Sequence, residues 1–270
     1  MSPVLIPIED PADPRVAAYR DVRERDLVGR EGRFIAEGEV VLRVLLRQGR
    51  HRPLSLLIDA KRVGALQLLL DQVPEGVPIY AAGQAVMDAI VGFHIHRGIL
   101  ALGERADALD AEALLAGLPE RATVAVLIGA ANHDNVGGVF RNAAAFGAAA
   151  VLLDATCCDP LYRKAIRVSV GAALEVPYAR VMDGAAAISL LRHHGFEVIA
   201  LSPSGRTTLA EFRPGLRTAA MFGTEGEGLP QAVMDLATTV SIPMAGAFDS
   251  LNLATTSGIV LHHLAFSARP

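Results

Sequence analysis

The sequence predicts an α/β protein of two units, the second built on a mostly parallel sheet with helices on both faces. Hydrophobic residues make up 51% of the 270 residues, which is enough to bury a substantial core. Short apolar segments alternate with segments of helical periodicity along most of the chain. Thr123 to Ile128 is apolar without interruption, as is typical of a strand buried on both faces of a parallel sheet.

Residues 1–105 are predicted to form the first unit, and residues 106–120 a linker. Leu5 to Asp26 is polar and rich in Arg, and we expect a short helix flanked by loop. Strands are then predicted at Leu54–Ile58, Val77–Tyr80 and Gly98–Leu102. Helices are predicted at Glu39–Gln48, which ends before Gly49, and at Val63–Leu70, Gln84–Ile90 and Ala111–Ala116, the last within the linker.

Residues 121–270 are predicted to form the second unit, again by alternation. Its strands are predicted at Thr123–Ile128, Ala150–Leu153, Val198–Leu201, Ala219–Phe222 and Val240–Ile242. Its helices are predicted at Val136–Phe146, Asp183–His194 and Leu251–Ala265, with two more opened by Asp159-Pro160 and by Leu229-Pro230.

Charge is uneven along the chain although its sum is small. The formal net charge is −4, and aromatic residues are 5% of the chain with no Trp, so an aromatic stacking platform cannot dominate any contact with bases. Two local groups are basic: Arg43, Arg47, Arg50, Arg52, Lys61 and Arg62, and then Arg163, Lys164 and Arg167. Their spacing fits a phosphate-binding surface and a solvated face equally well.

Several classes of protein are disfavoured. Cys157 and Cys158 are adjacent, lack metal-ligand spacing and are expected to be buried free thiols, so no metal is expected. The first residues contain no apolar segment of a signal peptide, and no apolar run reaches the ~18 residues of a membrane span. We therefore expect no membrane association, and a cytoplasmic location.

A first polar loop runs from Asn132 to Arg141. We expect Asn135 to cap the helix that follows. Gly137, Gly138 and Arg141 would share one helix face, where the absent side chains would leave room for a substrate beside the guanidinium. On local pattern alone, a Gly-rich helix start with a surface Arg is the favoured alternative.

Two further loops follow predicted strands. The loop from Phe222 to Pro230 has three glycines in six residues and two carboxylates, which suits a cationic or hydroxyl-bearing ligand, or an ordinary acidic turn. It matches neither a dinucleotide-binding fingerprint nor a P-loop. In the loop from Ile242 to Leu253, Asp249 or Ser250 is expected to cap the last helix and to leave Asn252 in its first turn.

These three loops resemble, in order, the three motifs of the SpoU (TrmH-like) branch of the SPOUT RNA methyltransferases. The matching residues are Asn135, Gly137 and Arg141; Gly223, Thr224, Glu225 and Gly228; and Ile242, Pro243, Met244, Ser250, Leu251 and Asn252. The resemblance covers about Thr123 to Leu264. More loosely, Phe34–Gly38 and His96–Ile99 resemble segments of the family's substrate-binding domain. The sequence departs from the family after Asn252, where Leu253-Ala254-Thr255-Thr256 replaces Val-Ser-Val-Ala.

The resemblance implies a C-terminal α/β domain with a trefoil knot, a preceding RNA-binding domain with a ribosomal-protein-like fold, and a homodimer. It also implies S-adenosylmethionine as cofactor, held by residues of the knot loops. Those positions are Leu201, Ser202, Gly223, Thr224, Glu225, Gly228, Ile242, Met244, Leu251 and Leu253.

The implied reaction is methylation of a ribose 2′-hydroxyl in structured RNA, with 23S rRNA favoured over tRNA. The resemblance assigns the catalytic roles to Arg141, Asn135, Glu225, Ser250 and Asn252. Because an Arg side chain stays protonated, we expect Arg141 to bind a phosphate and stabilise the oxyanion while the proton leaves through phosphate or water. A dinucleotide-dependent oxidoreductase and a non-catalytic RNA-binding or ribosome-assembly module are the alternatives.

Overall fold

A computed structural model describes residues 4–20, 24–92, 94–224, 226–245 and 250–267. The chain divides into two compact units. The first comprises Met1–Asp107 and Asp159–Glu175, and the second comprises Ala108–Cys158 and Val176–Pro270. The division made from the sequence, into residues 1–105, a linker at 106–120 and residues 121–270, stays a prediction of the domain boundaries.

The strands are β1 Leu5–Ile8, β2 Arg33–Glu37, β3 Arg52–Asp59, β4 Ile79–Ala82, β5 Ile99–Glu104, β6 Ala122–Leu127, β7 Ala150–Leu153, β8 Tyr178–Arg180, β9 Glu197–Leu201, β10 Thr207–Thr208, β11 Arg217–Phe222 and β12 Thr238–Ser241. The helices are α1 Glu24–Gly29, α2 Glu39–Gln48, α3 Val63–Leu70, α4 Gln84–Val91, α5 Ala111–Ala116, α6 His133–Ala145, α7 Arg163–Val168, α8 Ala172–Glu175, α9 Gly184–His193, α10 Gln231–Met234 and α11 Leu253–Phe266.

The first unit is built on a five-stranded mixed sheet in the order β1-β4-β3-β5-β2. β4 is parallel to both of its neighbours, β1 and β3. β5 runs antiparallel to β3 and β2. β1, β2, β3 and β4 therefore run in one direction and β5 runs against them, so the carboxyl ends of four strands share one edge of the sheet with the amino end of β5.

The interpretation of Leu5 to Asp26 as a short helix within loop is wrong. The segment contains the strand β1, a 3-10 helix at Pro14–Tyr19 and the start of α1. Among the described strands β1 pairs with β4 alone, so it is an edge strand of four residues that tolerates Pro7. Such a short strand has too little local pattern to be predicted, since its pairing partner lies over 70 residues away. β2, β8 and β10 also went unpredicted.

The second unit is built on a seven-stranded sheet in the order β10-β12-β9-β11-β6-β7-β8, with every pairing parallel. The chain moves outward from β6 to β8, then returns to build β9 to β12 on the other side of β6. Val124, Val126, Leu152 and Met221 are fully buried in its core, as a double-faced parallel sheet requires. All strand carboxyl ends therefore share one edge, where open α/β sheets bind their ligands.

The predicted helix start at Asp159-Pro160 is wrong. Residues 159–162 form a turn, and α7 begins only at Arg163. The Asp159 carboxylate accepts a hydrogen bond from the Leu161 amide at 2.9 Å and one from Arg105 Nη1 at 2.8 Å. An aspartate that closes a turn in this way has the same local sequence as an N-cap, because both accept a nearby amide.

None of the helices among the described residues has the length and apolar character that a membrane crossing requires.

Candidate active site at the carboxyl edge of the second sheet

A cavity of about 360 Å³ lies where β9, β11 and β12 end, at the size typical of small-molecule sites. It is lined by Leu201, Ser202, Pro203, Phe222, Gly223, Thr224, Gly226, Glu227, Gly228, Val240, Ile242, Met244, Ser250, Leu251, Leu253 and Thr256. The lining is mainly apolar, and Glu227 is its one charged side chain among the described residues. The loops that contain the second and third motifs therefore meet the loop after β9 at one cavity, as parallel strands with a shared carboxyl edge predict, whereas the first motif loop contributes none of the described lining.

The loop after β11 folds back on itself. The Thr224 amide donates to the Gly228 carbonyl at 3.2 Å, and the Glu227 amide donates to Thr224 Oγ1 at 3.2 Å. A Cβ on Gly223 would lie 2.2–2.4 Å from the backbone of Gly228 and Leu229, and Gly228 has a φ of +73°. Both glycines are therefore required by backbone geometry, and they leave main-chain groups facing the cavity.

The segment after β12 offers unsatisfied main-chain groups to a ligand. Within the described part of the chain, the backbone of Ile242, Pro243 and Met244 forms no hydrogen bond. Ile242 and Met244 are half-buried and line the cavity. Half-buried carbonyl and amide groups without partners suit a flat, polar-edged ligand such as a nucleobase.

Helices α6 and α11 are joined by side chains of the first and third loops. Asn252 Nδ2 donates to Asn135 Oδ1 at 2.8 Å, and Asn135 is buried. Two turns further along α6, Asn142 Nδ2 donates to the Ala254 carbonyl at 2.7 Å and to Ser257 Oγ at 2.9 Å. The position of the third loop is therefore tied to α6.

Both predicted helix caps are wrong. Asn132 caps α6, since its side chain accepts from the Asp134 amide, and Asn135 lies inside the first turn. Asn252 caps α11, with Oδ1 accepting from the amides of Ala254 at 2.9 Å and Thr255 at 3.2 Å. In both cases the polar segment contains several residues able to cap, and packing selects among them. Ser250 lines the cavity, and Asp249 lies outside the described residues.

The expectation that Gly138 leaves room for a substrate is wrong. A Cβ on Gly138 would lie 2.4 Å from the Cβ of Ala254, so the space belongs to α11. Gly137 is buried within the same helix. The glycines of this motif allow α6 and α11 to approach closely. The local sequence is the same whether the space beside a glycine holds a ligand or another helix.

The structure gathers most of the predicted site residues in one place. Nine of the ten predicted cofactor-binding residues line the cavity, and the tenth, Glu225, lies outside the described residues. Among the predicted catalytic residues, Ser250 lines the cavity and Asn135 contacts Asn252 beside it. Arg141 is exposed on α6, does not line the cavity, and forms no hydrogen bond or ion pair with the described residues.

Asp154 supports the site from behind and was not predicted. Its buried carboxylate accepts hydrogen bonds from the amides of Gly129 at 3.1 Å, Thr156 at 3.1 Å and Cys157 at 2.9 Å. Gly129 has a φ of +72°, and a Cβ there would lie 2.6 Å from the methyl group of Thr224. Asp154 thus holds the loop that packs against the second motif. An acidic residue directly after a buried strand was the available signal.

The thiols take no part in this site. Burial raises the pKa of the Cys157 thiol to about 12, so the thiol stays protonated. Cys158 is only half-buried, so the expectation of two buried thiols is wrong for that residue. The described residues contain no group of three or more His, Cys, Asp or Glu placed to hold a metal ion.

The predicted basic groups are largely paired within the first unit. Arg43 contacts Glu39 at 2.7 Å, Arg47 contacts Glu175 at 3.0 Å, and Arg52 contacts Glu104 at 2.7 Å. In the second group, Arg163 and Arg167 lie 3.1 Å and 3.6 Å from the buried carboxylate of Glu37. Charge pairing of this extent weakens the second group, and the Arg43, Arg47 and Arg52 part of the first, as phosphate-binding surfaces.

Comparison with known proteins places the chain among RNA methylases. The model of the SpoU rRNA Methylase family matches residues 122–262. A protein described as an uncharacterized tRNA/rRNA methyltransferase of Mycobacterium tuberculosis is 38% identical over 262 residues, covering 94% of this chain and 89% of the relative.

Two solved structures share the fold. The AdoMet-bound rRNA methyltransferase from Sinorhizobium meliloti has a TM-score of 0.79 at 23% identity, over 96% of this chain and 97% of that one. A structure described as an RNA 2′-O ribose methyltransferase has a TM-score of 0.78 at 24% identity, over 96% and 98%. The family match spans more than half of the chain and includes all three loops of the cavity, so this chain belongs to the SpoU rRNA methylase family.

Proposed function

We propose that this protein is an S-adenosylmethionine-dependent methyltransferase that methylates a ribose 2′-hydroxyl in structured RNA, with 23S rRNA as the favoured substrate. The observation that carries the proposal is that the second and third family motifs line one cavity at the strand carboxyl ends, while the first motif is tied to it by the Asn135–Asn252 hydrogen bond. The AdoMet-bound relative and the ribose methyltransferase of similar fold support the cofactor and the reaction.

The cavity fits this cofactor. Leu201, Leu251 and Leu253 supply apolar surface for an adenosine, and the free backbone groups of residues 242–244 can bind the edge of its base. Glu227 supplies a negative charge to a cavity that would receive a cationic ligand. When bound, S-adenosylmethionine supplies a methyl group on a positively charged sulfur. Nine predicted contact residues would hold it by shape and main-chain hydrogen bonds.

Methyl transfer requires an attacking oxygen that is aligned and relieved of its proton. A cofactor bound in the cavity would supply the methyl group, and the ribose hydroxyl would lose its proton to a phosphate or to water. We assign Arg141 to the phosphate beside the ribose, where its guanidinium stabilises the developing negative charge. Asn135 and Asn252 keep the third loop in register with α6, and Ser250 contacts the ribose.

The same proposal includes a homodimer and a trefoil knot, and both are proposed from the resemblance to the family. Arg141 is exposed and does not line the cavity of its own chain. A site in which Arg141 comes from a second copy would explain this placement. Mixing two inactive variants, Arg141→Ala and Gly223→Ala, tests it. In a mixed dimer, the Arg141→Ala chain supplies an intact cavity and the Gly223→Ala chain supplies an intact Arg141. Activity therefore returns if Arg141 acts on the cavity of the second copy, and it stays absent if each chain uses its own Arg141.

The deciding experiment offers labelled S-adenosylmethionine with unmodified large-subunit rRNA, small-subunit rRNA or tRNA, together with an Arg141→Ala control. Label that enters large-subunit rRNA as alkali-resistant ribose methylation, and that the variant does not transfer, supports the proposal. Label in tRNA alone replaces rRNA as the substrate. Base methylation in any pool contradicts the 2′-O assignment, and no binding of the cofactor leaves the RNA-binding module as the better hypothesis.

A further inference from the structure

Two segments of the first unit that resemble family segments meet at one edge of its sheet. Phe34–Gly38 ends β2 and His96–Ile99 leads into β5, and the Gly38 amide donates to the Ile99 carbonyl at 3.1 Å. The end of β3 joins them, because the Asp59 amide donates to the Gly98 carbonyl at 2.9 Å. Neither segment lines the cavity of the second unit, so the proposed methyltransferase site gives them no role.

Each of the two glycines at this edge provides the space for an arginine. Gly38 has a φ of +102°, and a Cβ there would lie 2.9 Å from Arg97 Nη1. Gly98 has a φ of +57°, and a Cβ there would lie 3.0 Å from Arg62 Cδ. The guanidinium of Arg62 also donates to the Arg97 carbonyl. Both arginines therefore lie against main chain that only glycine leaves open.

The charges at this edge are less neutralised than elsewhere in the unit. Arg62 shares the Glu39 carboxylate, at 3.4 Å, with Arg43. Lys61 and Arg97 are exposed, and neither side-chain charge forms a hydrogen bond or ion pair with the described residues. Asp59 is buried and accepts the Lys61 amide at 3.0 Å. Glu37, next to Gly38, is also buried and is paired with Arg163 and Arg167. Lys61, Arg62, Arg97 and Arg43 are thus left with the carboxylates of Glu39 and Asp59.

We propose that Lys61, Arg62 and Arg97, which we name the Gly38 edge, bind the phosphate backbone of the RNA substrate. The inference rests on the proposed function, since it requires an RNA substrate. Phosphates attract clustered cations, and an Arg fork held flat on the main chain loses little freedom when it binds one. The exposed ring of His96, beside Arg97, can stack on an unpaired base. The contacts are to phosphate, so they give affinity and position rather than sequence specificity.

A pair of charge-matched variants tests the Gly38 edge. Lys61→Gln with Arg97→Gln removes two unpaired cations, and Arg47→Gln with Arg52→Gln removes two that are paired with Glu175 and Glu104. Binding to 23S rRNA and tRNA transcripts is measured across a salt series for the full-length protein. Cofactor binding is measured separately by calorimetry.

The first variant should bind the transcript that serves as substrate about tenfold more weakly, or weaker still. The slope of log K against log salt should become less steep by about 1.5, which is about 0.7–0.9 for each lost phosphate contact. The control should weaken binding of the transcript less than about threefold. Equal losses of RNA affinity in the two double variants, or no loss in either, would overturn the proposal. It would also be overturned if the first variant bound RNA as the wild type does but bound an acidic protein more weakly, because the surface would then serve a protein partner. Failure of the proposed function is separate, because it would show as wild-type protein that binds RNA without binding cofactor or transferring a methyl group.

Discussion

The two units differ in what the loops at one edge of each sheet carry, and this difference separates their roles. Every strand pairing of the second sheet is parallel, so the loops after β9, β11 and β12 meet at one edge and enclose a cavity. In the first sheet β5 runs against the other four described strands, so the ends of β2 and β3 meet the start of β5 at one edge. The loops of the first unit make a charged surface instead. Shared strand direction gathers loops in both units, and the side chains that the loops carry decide what each edge can bind.

The largest effect is expected at Gly223, at the carboxyl end of β11. Gly223→Ala would place a Cβ within 2.4 Å of the Gly228 backbone, so the loop must open. A side chain could relieve such a clash by changing its rotamer, but the backbone of Gly228 and Leu229 cannot. We therefore expect cofactor affinity to fall by more than about a thousandfold in calorimetry. Gly215→Ala is the matched control at the amino end of the same strand, where a Cβ meets only Glu197 Oε2 at 3.7 Å. Equal losses at both ends would contradict the role of the carboxyl edge.

Arg141 is expected to give the next largest effect. Arg141→Ala should lower kcat by about a hundred- to a thousandfold, as loss of an oxyanion-stabilising donor does, while cofactor affinity stays within about threefold. Arg141→Lys should recover only part of the rate because it lacks the guanidinium fork. The control is Arg121→Ala, an exposed arginine just before β6 at the opposite edge of the sheet. Near wild-type turnover by the lysine variant would argue against a role for the fork.

His51 should make the stability of the first unit depend on pH. Burial, with Arg50 and Arg105 nearby, lowers the pKa of His51 to about 4, and the Ala106 amide donates to its Nδ1 at 3.0 Å. As the pH falls from about 6.5 to 4, His51 therefore becomes protonated in the unfolded state while it stays neutral in the folded state. The free energy of unfolding should drop by up to about 3 kcal/mol over that window and be insensitive to this group above it.

His51→Asn keeps an acceptor for the Ala106 amide and removes the titration. Urea unfolding at several pH values, followed by hydrogen exchange of β3, should show a shallower pH dependence in this variant. His96→Asn, at an exposed histidine of the same unit, serves as control and should leave the dependence unchanged. An unchanged slope in His51→Asn would mean that other groups govern the acid sensitivity.

The smallest effect is expected at Asn252, which performs two tasks. Asn252→Asp keeps the oxygen that caps α11 but replaces the amide that donates to Asn135, so two oxygens then face each other. We expect a loss of about 1–2 kcal/mol in the free energy of unfolding of the second unit, together with weaker cofactor binding. Asn132→Ala removes only the α6 cap and should lower stability without changing cofactor affinity. Identical cofactor affinities in the two variants would mean that the Asn135–Asn252 bond does not position the loop.

The predictability of the elements followed the strength of the local signal. Helices α2, α3 and α5 were predicted at their exact bounds because apolar periodicity and a following glycine or turn mark both ends. The edge strand β1 and the three-residue β8 were missed because a short strand is defined by its partner. The three loops of the site were found because they follow strong strand signals and match family motifs.

The sequence by itself determined the α/β class, the family and the group of loops that line the cavity, because these depend on periodicity and on residues adjacent in the chain. Only the tertiary structure decided which asparagine caps each helix, that Gly138 accommodates Ala254, and which arginines remain unpaired. These depend on groups distant in sequence, such as Glu175 for Arg47 and Ala254 for Gly138. A side chain has the same local pattern whether its neighbour is a ligand, a helix or a carboxylate, and packing alone supplies that neighbour.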